Sequence, residues 1–276
     1  MLMWTIQELC EVFMVKVYTI ASGKGGTGKT TTSANLGTCL AELGKETYIM
    51  DADMGMANLG IILGMEDVPI TLHEVLSGKA KVTEAVYEGP CGVKVVPSGI
   101  SLKGFQNADP DRLRDVMREL IGKCEYLLID APAGISRDGV IPLAIADEVI
   151  LIVNPELSSM VDALKTKILT ELVGGKVKGA ILTRATMENT EVSKQKMEEV
   201  LGVKVIGIVP EDPNTRRAAA HKTPIVIKYP ESDAARAYRR IAANLAGTTY
   251  KDETEFVRSK ETFIDRLARS IFKGKK

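Results

Sequence analysis

The chain has 276 residues, of which 45% are hydrophobic and 26% are charged, and this balance favours one globular domain with a sizeable core. Its 36 Lys and Arg residues are matched by 36 Asp and Glu residues, so no overall positive field draws the protein to nucleic acid. No apolar run approaches the roughly 18 residues of a membrane span, and no signal peptide is visible, so we expect a cytoplasmic protein.

The first 13 residues precede Met14, after which the chain reads as a complete first strand. We interpret residues 1–13 as an N-terminal extension that results from an upstream start codon and does not belong to the fold. The alternative is a short amphipathic arm, because Ile6, Leu9, Cys10 and Phe13 share one face of a helix.

From residue 14 onward, short β-branched segments alternate with helical patterns. The predicted strands are Val15–Ala21, Thr47–Asp51, Val93–Pro97, Tyr126–Asp130, Val149–Asn154, Val177–Thr183 and Val205–Val209. The predicted helices cover about 28–43, 110–122, 138–146, 158–173, 188–201 and 233–246. The strands are apolar throughout, so both faces of their sheet should be covered. This alternation predicts a doubly wound α/β domain over residues 14–247, with a mostly parallel sheet and helices on both faces.

A phosphate-binding loop is predicted directly after the first strand. Residues 23–30, GKGGTGKT, match the pattern G-x-x-x-x-G-K-[ST], whose glycines let successive N–H groups point at an anion. In this pattern Lys29 bridges the β- and γ-phosphates, and the Thr30 hydroxyl binds Mg²⁺. The predicted ATP-binding loop consists of Gly23, Lys24, Gly25, Gly26, Thr27, Gly28, Lys29, Thr30 and Thr31. Lys24 is an additional lysine that the pattern does not require.

Carboxylates end two of the predicted strands. Asp130 follows four apolar residues, and Asp51 stands two residues before Asp53. Ligands of open α/β sheets collect at this edge, so the aspartates are candidates for a metal site. If the chain turns after Asp51, the roles separate, with Asp51 near the metal and Asp53 near the attacking water.

These motifs resemble the MinD branch of the deviant Walker-A, or SIMIBI-class, P-loop ATPases. The resemblance is carried by GKGGTGKTT, MDADMGMANL, LLIDAPAGI, NPELSS and VIGIVPEDP, and it covers about residues 14–246. It implies a slow, partner-stimulated ATPase that uses ATP and Mg²⁺. It also implies that Lys24 reaches the phosphates bound by a partner subunit, that Asp53 orients the hydrolytic water, and that Asp51 and Asp130 hold Mg²⁺ through water. A cation supplied in trans acts only when two subunits meet, so ATP should join a homodimer.

The same resemblance suggests where the base binds. Members of the family use a strand-end Asn or Thr followed by Arg, and then a P-E-D segment. This chain has Thr183 and Arg184, followed later by Pro210, Glu211 and Asp212. We therefore assign Arg184 and residues 210–212 to ATP binding. Thr183 offers a single hydroxyl where many relatives have Asn, so side-chain recognition of adenine stays open, and backbone groups around residues 210–212 are the alternative.

The C-terminal residues 261–276 predict an amphipathic helix behind a polar tether, residues 248–260. At about 100° per residue, one half of the helix is apolar and the other is polar and largely basic. The predicted membrane contacts are Phe263, Ile264, Leu267, Ile271 and Phe272. A terminal, tethered, basic helix favours insertion into an anionic membrane surface, as in MinD proteins, and docking on its own domain is the alternative.

Together these features predict a cycle in which ATP closes the dimer, two tails bind the membrane, and hydrolysis releases them. The expected output is placement of the division machinery or of another cargo. The expected partners are a second copy of the chain, an anionic membrane surface and an unidentified activator or cargo protein. The protein should be cytoplasmic and reversibly peripheral on the inner face of the cell membrane.

Two other classes of function are weighed against this reading. A ParA-like DNA-segregation or cargo-segregation ATPase would use basic surface, for which the pairs at 216–217 and 239–240 are candidates, but zero net charge makes nucleic acid an unlikely partner. Metal or cluster delivery would need paired cysteines, whereas those at 10, 39, 91 and 124 stand singly. The two histidines, His73 and His221, are interpreted as solvated or core-edge residues, because phosphoryl transfer needs neither.

Overall fold

A single sheet organises the computed structural model, which describes residues 15–134, 137–186 and 194–250. Its strands are β1 (Lys16–Ala21), β2 (Thr47–Asp51), β3 (Tyr87–Glu88), β4 (Lys94–Val96), β5 (Tyr126–Asp130), β6 (Glu148–Val153), β7 (Val177–Ala185) and β8 (Val205–Pro210). Their order across the sheet is β3-β4-β2-β5-β1-β6-β7-β8. All neighbouring pairs are parallel except β3 with β4. The predicted doubly wound, mostly parallel fold is confirmed.

Helices connect the parallel strands, as the predicted alternation requires. They are α1 (Lys29–Glu42), α2 (Leu59–Ile62), α3 (Leu72–Leu76), α4 (Leu102–Asn107), α5 (Leu113–Ile121), α6 (Arg137–Ile145), α7 (Leu157–Leu172), α8 (Lys194–Leu201), α9 (Pro213–Ala220), α10 (Ile225–Lys228) and α11 (Asp233–Leu245). Short 3₁₀ turns cover Val82–Ala85, Pro90–Gly92 and Pro110–Arg112. The short helices α2, α3, α4, α9 and α10 and the strand β3 were not among the predicted elements.

Alternate residues of the central strands pack against opposite layers. Ile49 and Leu128 belong to the cluster that includes α1 and α11, whereas Met50 and Leu127 pack with α3 and α5. All five residues of β5 are buried, because helices cover both faces of the sheet. The site at the carboxyl ends of these strands is therefore built on a rigid layer.

Several expectations fall outside the residues that the structure describes. They are the extension at residues 1–13, most of the tether at 248–260, and the terminal helix with Phe263, Ile264, Leu267, Ile271 and Phe272. Among the residues that are described, no helix has both the length and the hydropathy to cross a membrane.

Candidate functional site

The glycine-rich loop lies between β1 and α1, where the sequence places it. Gly26 and Gly28 have φ values of +76° and +96°, in the left-handed region that side chains rarely adopt. A Cβ at Gly23 would lie 2.3 Å from the backbone carbonyl of Asp162 on α7, so the loop and this helix approach more closely than any side chain permits. The loop thus has the backbone of an anion nest at a helix N-terminus.

Lys29 and Thr30 form the first turn of α1, below this nest. Lys29 is buried, with 7% of its surface exposed, and its charge acts on the carboxylate of Asp130. The Thr30 side chain hydrogen-bonds Asp130, and the Ser33 hydroxyl donates to Asp130 Oδ1 at 3.0 Å. The loop lysine, the loop threonine and the strand-end aspartate, assigned separately from the sequence, therefore form one cluster.

Asp51 and Asp130 lie side by side at the carboxyl ends of the paired strands β2 and β5. Both are buried, at 0% and 1% exposure. Burial, with the Asp130 charge second, raises the pKa of Asp51 well above its usual value. Burial likewise raises the pKa of Asp130 to about 6, against the lowering effect of Thr30, Lys29 and Ser33. Two buried carboxylates that disfavour each other's charge are suited to a divalent cation.

The donor set fits Mg²⁺, which prefers oxygen ligands and keeps several of its waters. The Thr30 hydroxyl and the carboxylates of Asp51 and Asp130 would hold it, and the bound ion neutralises charge on the phosphates. Within residues 15–134, 137–186 and 194–250, no three His, Cys, Asp or Glu side chains are grouped to hold a metal by themselves. Such a site would take its remaining ligands from water and phosphate oxygens.

The buried pair predicts a pH dependence of stability in the absence of Mg²⁺ and nucleotide. The folded state binds the Asp130 proton more tightly than the unfolded state, so stability is gained as the pH falls from about 6 toward 4 and is lost as the pH rises through about 6. A shift of this size corresponds to about 3 kcal/mol. Asp130→Asn should therefore raise the Tm at pH 7 and flatten its rise on acidification, measured by calorimetry.

The matched control is Asp115→Asn, because Asp115 is 71% exposed and pairs with Arg118 across one helical turn. This control should leave the Tm curve unchanged. Magnesium and ATP should then stabilise the wild type more than they stabilise Asp130→Asn. A lower Tm for Asp130→Asn at pH 7 would contradict the conclusion that the buried charge of Asp130 destabilises the folded state.

Asp53 differs from Asp51 in its surroundings. Asp51 accepts from the backbone N–H groups of Asp53 at 3.1 Å and Leu59 at 3.2 Å, so it ties the turn after β2 together. Asp53 is only half-buried, and its Oδ1 accepts from the Met56 N–H at 3.0 Å. The chain does turn after Asp51, and the two carboxylates have separate environments, which fits the two separate roles expected of them.

The side chain of Lys24 contacts helix α7 and the residue directly before it. Its Nζ donates to Glu156 Oε2 at 3.1 Å and to Ser158 Oγ at 3.3 Å, while 38% of the side chain stays exposed. The Ser22 hydroxyl donates to the Lys24 carbonyl at 2.8 Å. In the single subunit, the additional loop lysine is thus held at the surface by the NPELSS segment, which the family resemblance had singled out.

A cavity beside the loop collects the residues that were assigned to the base. It is lined by Thr27, Gly28, Thr31, Thr183, Arg184, Val209, Pro210, Glu211, Asp212, Thr215, Arg216 and Tyr238. Arg184 has φ +55° and pairs with Glu211 at 3.8 Å. Asp212 caps α9 by accepting from the Asn214 N–H at 2.9 Å. The structure therefore brings the predicted base residues next to the end of the phosphate loop.

The Thr183 side chain in this cavity hydrogen-bonds to other residues of the protein. Its hydroxyl lies 2.7 Å from the carbonyl oxygen of Thr27 and 2.9 Å from Asn154 Oδ1, both of them acceptors. Its single proton is therefore used to fix the phosphate loop, and the backbone of residues 210–212 is the better candidate for reading a base.

Sequence reasoning missed Thr215, Arg216 and Tyr238 as lining residues. A signal for the first two was present, because Asp212 followed by Pro213 is a helix start and predicts α9 beside the cavity. Tyr238 comes from the distant helix α11 and had no local signal.

The basic pairs considered for DNA binding are engaged within the protein. Arg239 is largely buried and holds Glu42 with two nitrogens, at 2.9 and 3.1 Å, and also donates to the Val226 carbonyl. Arg216 pairs with Glu211, and Arg217 donates to Asn214. These contacts stabilise helix ends and the cavity wall, while the side chain of Arg216 remains 82% exposed.

Comparison with known proteins supports this description of the site. Residues 18–225 match the family described as the CobQ/CobB/MinD/ParA nucleotide binding domain. An uncharacterised ATP-binding protein of Methanocaldococcus jannaschii is 49% identical over 253 residues, covering 92% of this chain and 95% of that protein.

Two solved structures are similar along most of the chain. The cell division ATPase MinD of Pyrococcus furiosus is 35% identical with a TM-score of 0.82, covering 85% of this chain and 99% of that one. The septum site-determining protein MinD of Pyrococcus horikoshii, complexed with Mg-ADP, is 36% identical with a TM-score of 0.81, covering 84% and 96%.

Proposed function

Because this chain belongs to the CobQ/CobB/MinD/ParA family, on its MinD branch, and is a magnesium-dependent ATPase, we propose that ATP joins two copies into a membrane-binding dimer. The observation that carries the proposal is the position of Lys24. This lysine belongs to the phosphate loop, yet its ammonium group pairs with Glu156 at the surface of a single subunit. A second subunit with bound ATP offers it a stronger anion.

The cluster around α1 supports an assignment of catalytic roles within this proposal. Lys29 serves the β- and γ-phosphates of its own subunit, and Thr30, Asp51 and Asp130 serve Mg²⁺. Asp53 orients the attacking water, and Lys24 supplies positive charge from the partner subunit. Positioning and charge neutralisation account for most of phosphoryl-transfer catalysis, so a site completed in trans hydrolyses ATP only in the dimer.

Membrane binding is assigned to residues 261–276 from their sequence pattern. One short amphipathic helix binds weakly, and two helices on one dimer add avidity, so ATP controls attachment. The protein is then cytoplasmic and reversibly peripheral on the inner face of the membrane. Its function in the cell is to place the division machinery or another cargo.

An activator or cargo protein has a suitable surface on α7. Exposed apolar side chains on this helix lie within about a 60° sector at helical spacing. They are Leu157 at 71%, Val161 at 43%, Ile168 at 47% and Leu172 at 78% exposure. Because α7 begins beside Glu156, a partner on this stripe would touch the element that holds Lys24.

Liposome sedimentation tests the membrane part of the proposal. The full chain should sediment with anionic vesicles in ATP but not in ADP, whereas a truncation of residues 261–276 should stay in the supernatant in both. The truncated protein should still hydrolyse ATP, since the described domain carries the whole nucleotide site. Equal sedimentation of the truncated and full chains would remove the tail from the mechanism, and neutral vesicles control for non-specific adsorption.

A further inference from the structure

His73 is a buried residue that none of the assigned ATP contacts explains. It lies on the five-residue helix α3 and is 1% exposed. The expectation that His73 is solvated or at the edge of the core is therefore wrong, because the residue is fully buried. Its Nε2 lies 3.1 Å from the carbonyl oxygen of Met54, the residue directly after Asp53. A carbonyl oxygen can only accept, so Nε2 carries the proton and donates it to the turn after β2.

The rest of the ring is held in a slot between two glycines. A Cβ added at Gly99 would lie 2.5 Å from Nδ1 of His73, and one added at Gly104 would lie 2.8 Å from it. Nδ1 is buried and has no hydrogen-bond partner within the described part of the chain. Burial lowers the pKa of the ring, which agrees with a neutral imidazole that carries its proton on Nε2. Packing therefore fixes the direction in which Nε2 points.

The turn that His73 holds is joined to β5 by the bond from the Ala52 N–H to the Asp130 carbonyl at 2.9 Å, and its other bonds lie within the turn. Asp51 accepts from the Asp53 N–H, and Asp53 accepts from the Met56 N–H. The bond from His73 comes from a residue 19 positions away, on a separate helix. It is an external anchor for the turn that carries the Asp53 carboxylate.

We propose that His73 is a positioning residue for ATP hydrolysis, acting through the Met54 carbonyl to hold Asp53 where it orients the attacking water. This inference rests on the role proposed for Asp53. It adds a residue that touches neither nucleotide nor metal. A misplacement of about 1 Å costs catalysis on the order of a hundredfold, so an anchor one residue away has a measurable effect.

Two substitutions separate positioning from packing. Glutamine at His73 keeps an amide N–H that can reach Met54, whereas methionine fills similar space without a donor. His73→Met should lower kcat by about ten- to a hundredfold with the affinity for ATP unchanged, and His73→Gln should retain most of kcat. Equal kcat values for the two variants would overturn the proposal. If His73→Met does not fold, Gly99→Ala is the alternative variant. Its Cβ would push the His73 ring away from the Met54 carbonyl, so Gly99→Ala should lower kcat in the same way.

A double-mutant cycle tests whether His73 acts through Asp53. Residues that act as one unit are not additive, so His73→Met should cause no further loss in an Asp53→Asn background, measured by single-turnover hydrolysis of ATP. Additive losses would overturn the role of His73. Wild-type turnover by Asp53→Asn alone would instead overturn the role of Asp53, so the two failures are distinguishable.

Discussion

Replacing Lys24 by alanine is expected to abolish ATP-dependent dimerisation while the subunit still binds ATP. The glycine nest and Lys29 serve the nucleotide of the same subunit, whereas Lys24 pairs with Glu156 at 3.1 Å and is free to exchange that anion for a partner's phosphate. Truncating one partner of a close charge pair at an interface costs about 2–5 kcal/mol, so the dimer Kd should rise at least roughly 30-fold. Light scattering with a non-hydrolysed ATP analogue measures dimerisation, and titration of a fluorescent ATP measures binding.

Two variants control this experiment. Lys165→Ala removes an exposed charge that pairs with Asp162 on α7, and it should dimerise normally. Glu156→Gln removes the anion that holds Lys24 in the single subunit, and it should dimerise at lower protein concentration than the wild type. Normal dimerisation by Lys24→Ala would contradict the role in trans.

Replacing Asp53 by asparagine is expected to have the second large effect, a loss of hydrolysis without loss of the ATP dimer. Asparagine keeps an oxygen for the Met56 N–H bond, so the turn after β2 should persist. What disappears is the carboxylate that orients water, which is worth about 10²–10⁴-fold in rate. Phosphate release under single-turnover conditions measures the loss, and light scattering should show the dimer accumulating in ATP.

The matched control for Asp53 is Asp67→Asn, which removes an exposed carboxylate later in the same connection. Its turnover should equal that of the wild type. If Asp53→Asn lost dimerisation along with hydrolysis, Asp53 would be part of the interface rather than the hydrolytic step.

The central strands and the pair of strand-end carboxylates, Asp51 and Asp130, could be predicted because their signals are local. Tyr126–Asp130 is an uninterrupted apolar run that ends in a carboxylate, and parallel strands bring such ends together at one edge. The phosphate loop carries its own glycines. These features need no knowledge of distant partners.

The parts that were missed depend on contacts between distant segments. Helix α3 has five residues, too short for a periodic pattern, although Thr71 and Glu74 form a capping box that could have marked its start. The positioning of His73 depends on Met54, Gly99 and Gly104, which lie beside its ring but belong to other segments of the chain. The ion pair between Lys24 and Glu156 could not be predicted either, because the two residues are 132 positions apart in the chain.

The two-residue strand β3 has a consequence for a protein that is expected to crowd onto a surface. It covers the outer side of β4 and is the one antiparallel strand among those described. It ends at Glu88, whose carboxylate binds Lys94 at 2.8 Å, and Gly89 and Pro90 follow at once. A short, charged margin closed by proline offers little template for another chain to extend the sheet. This edge of the sheet is therefore a poor site for strand pairing between crowded copies of the chain.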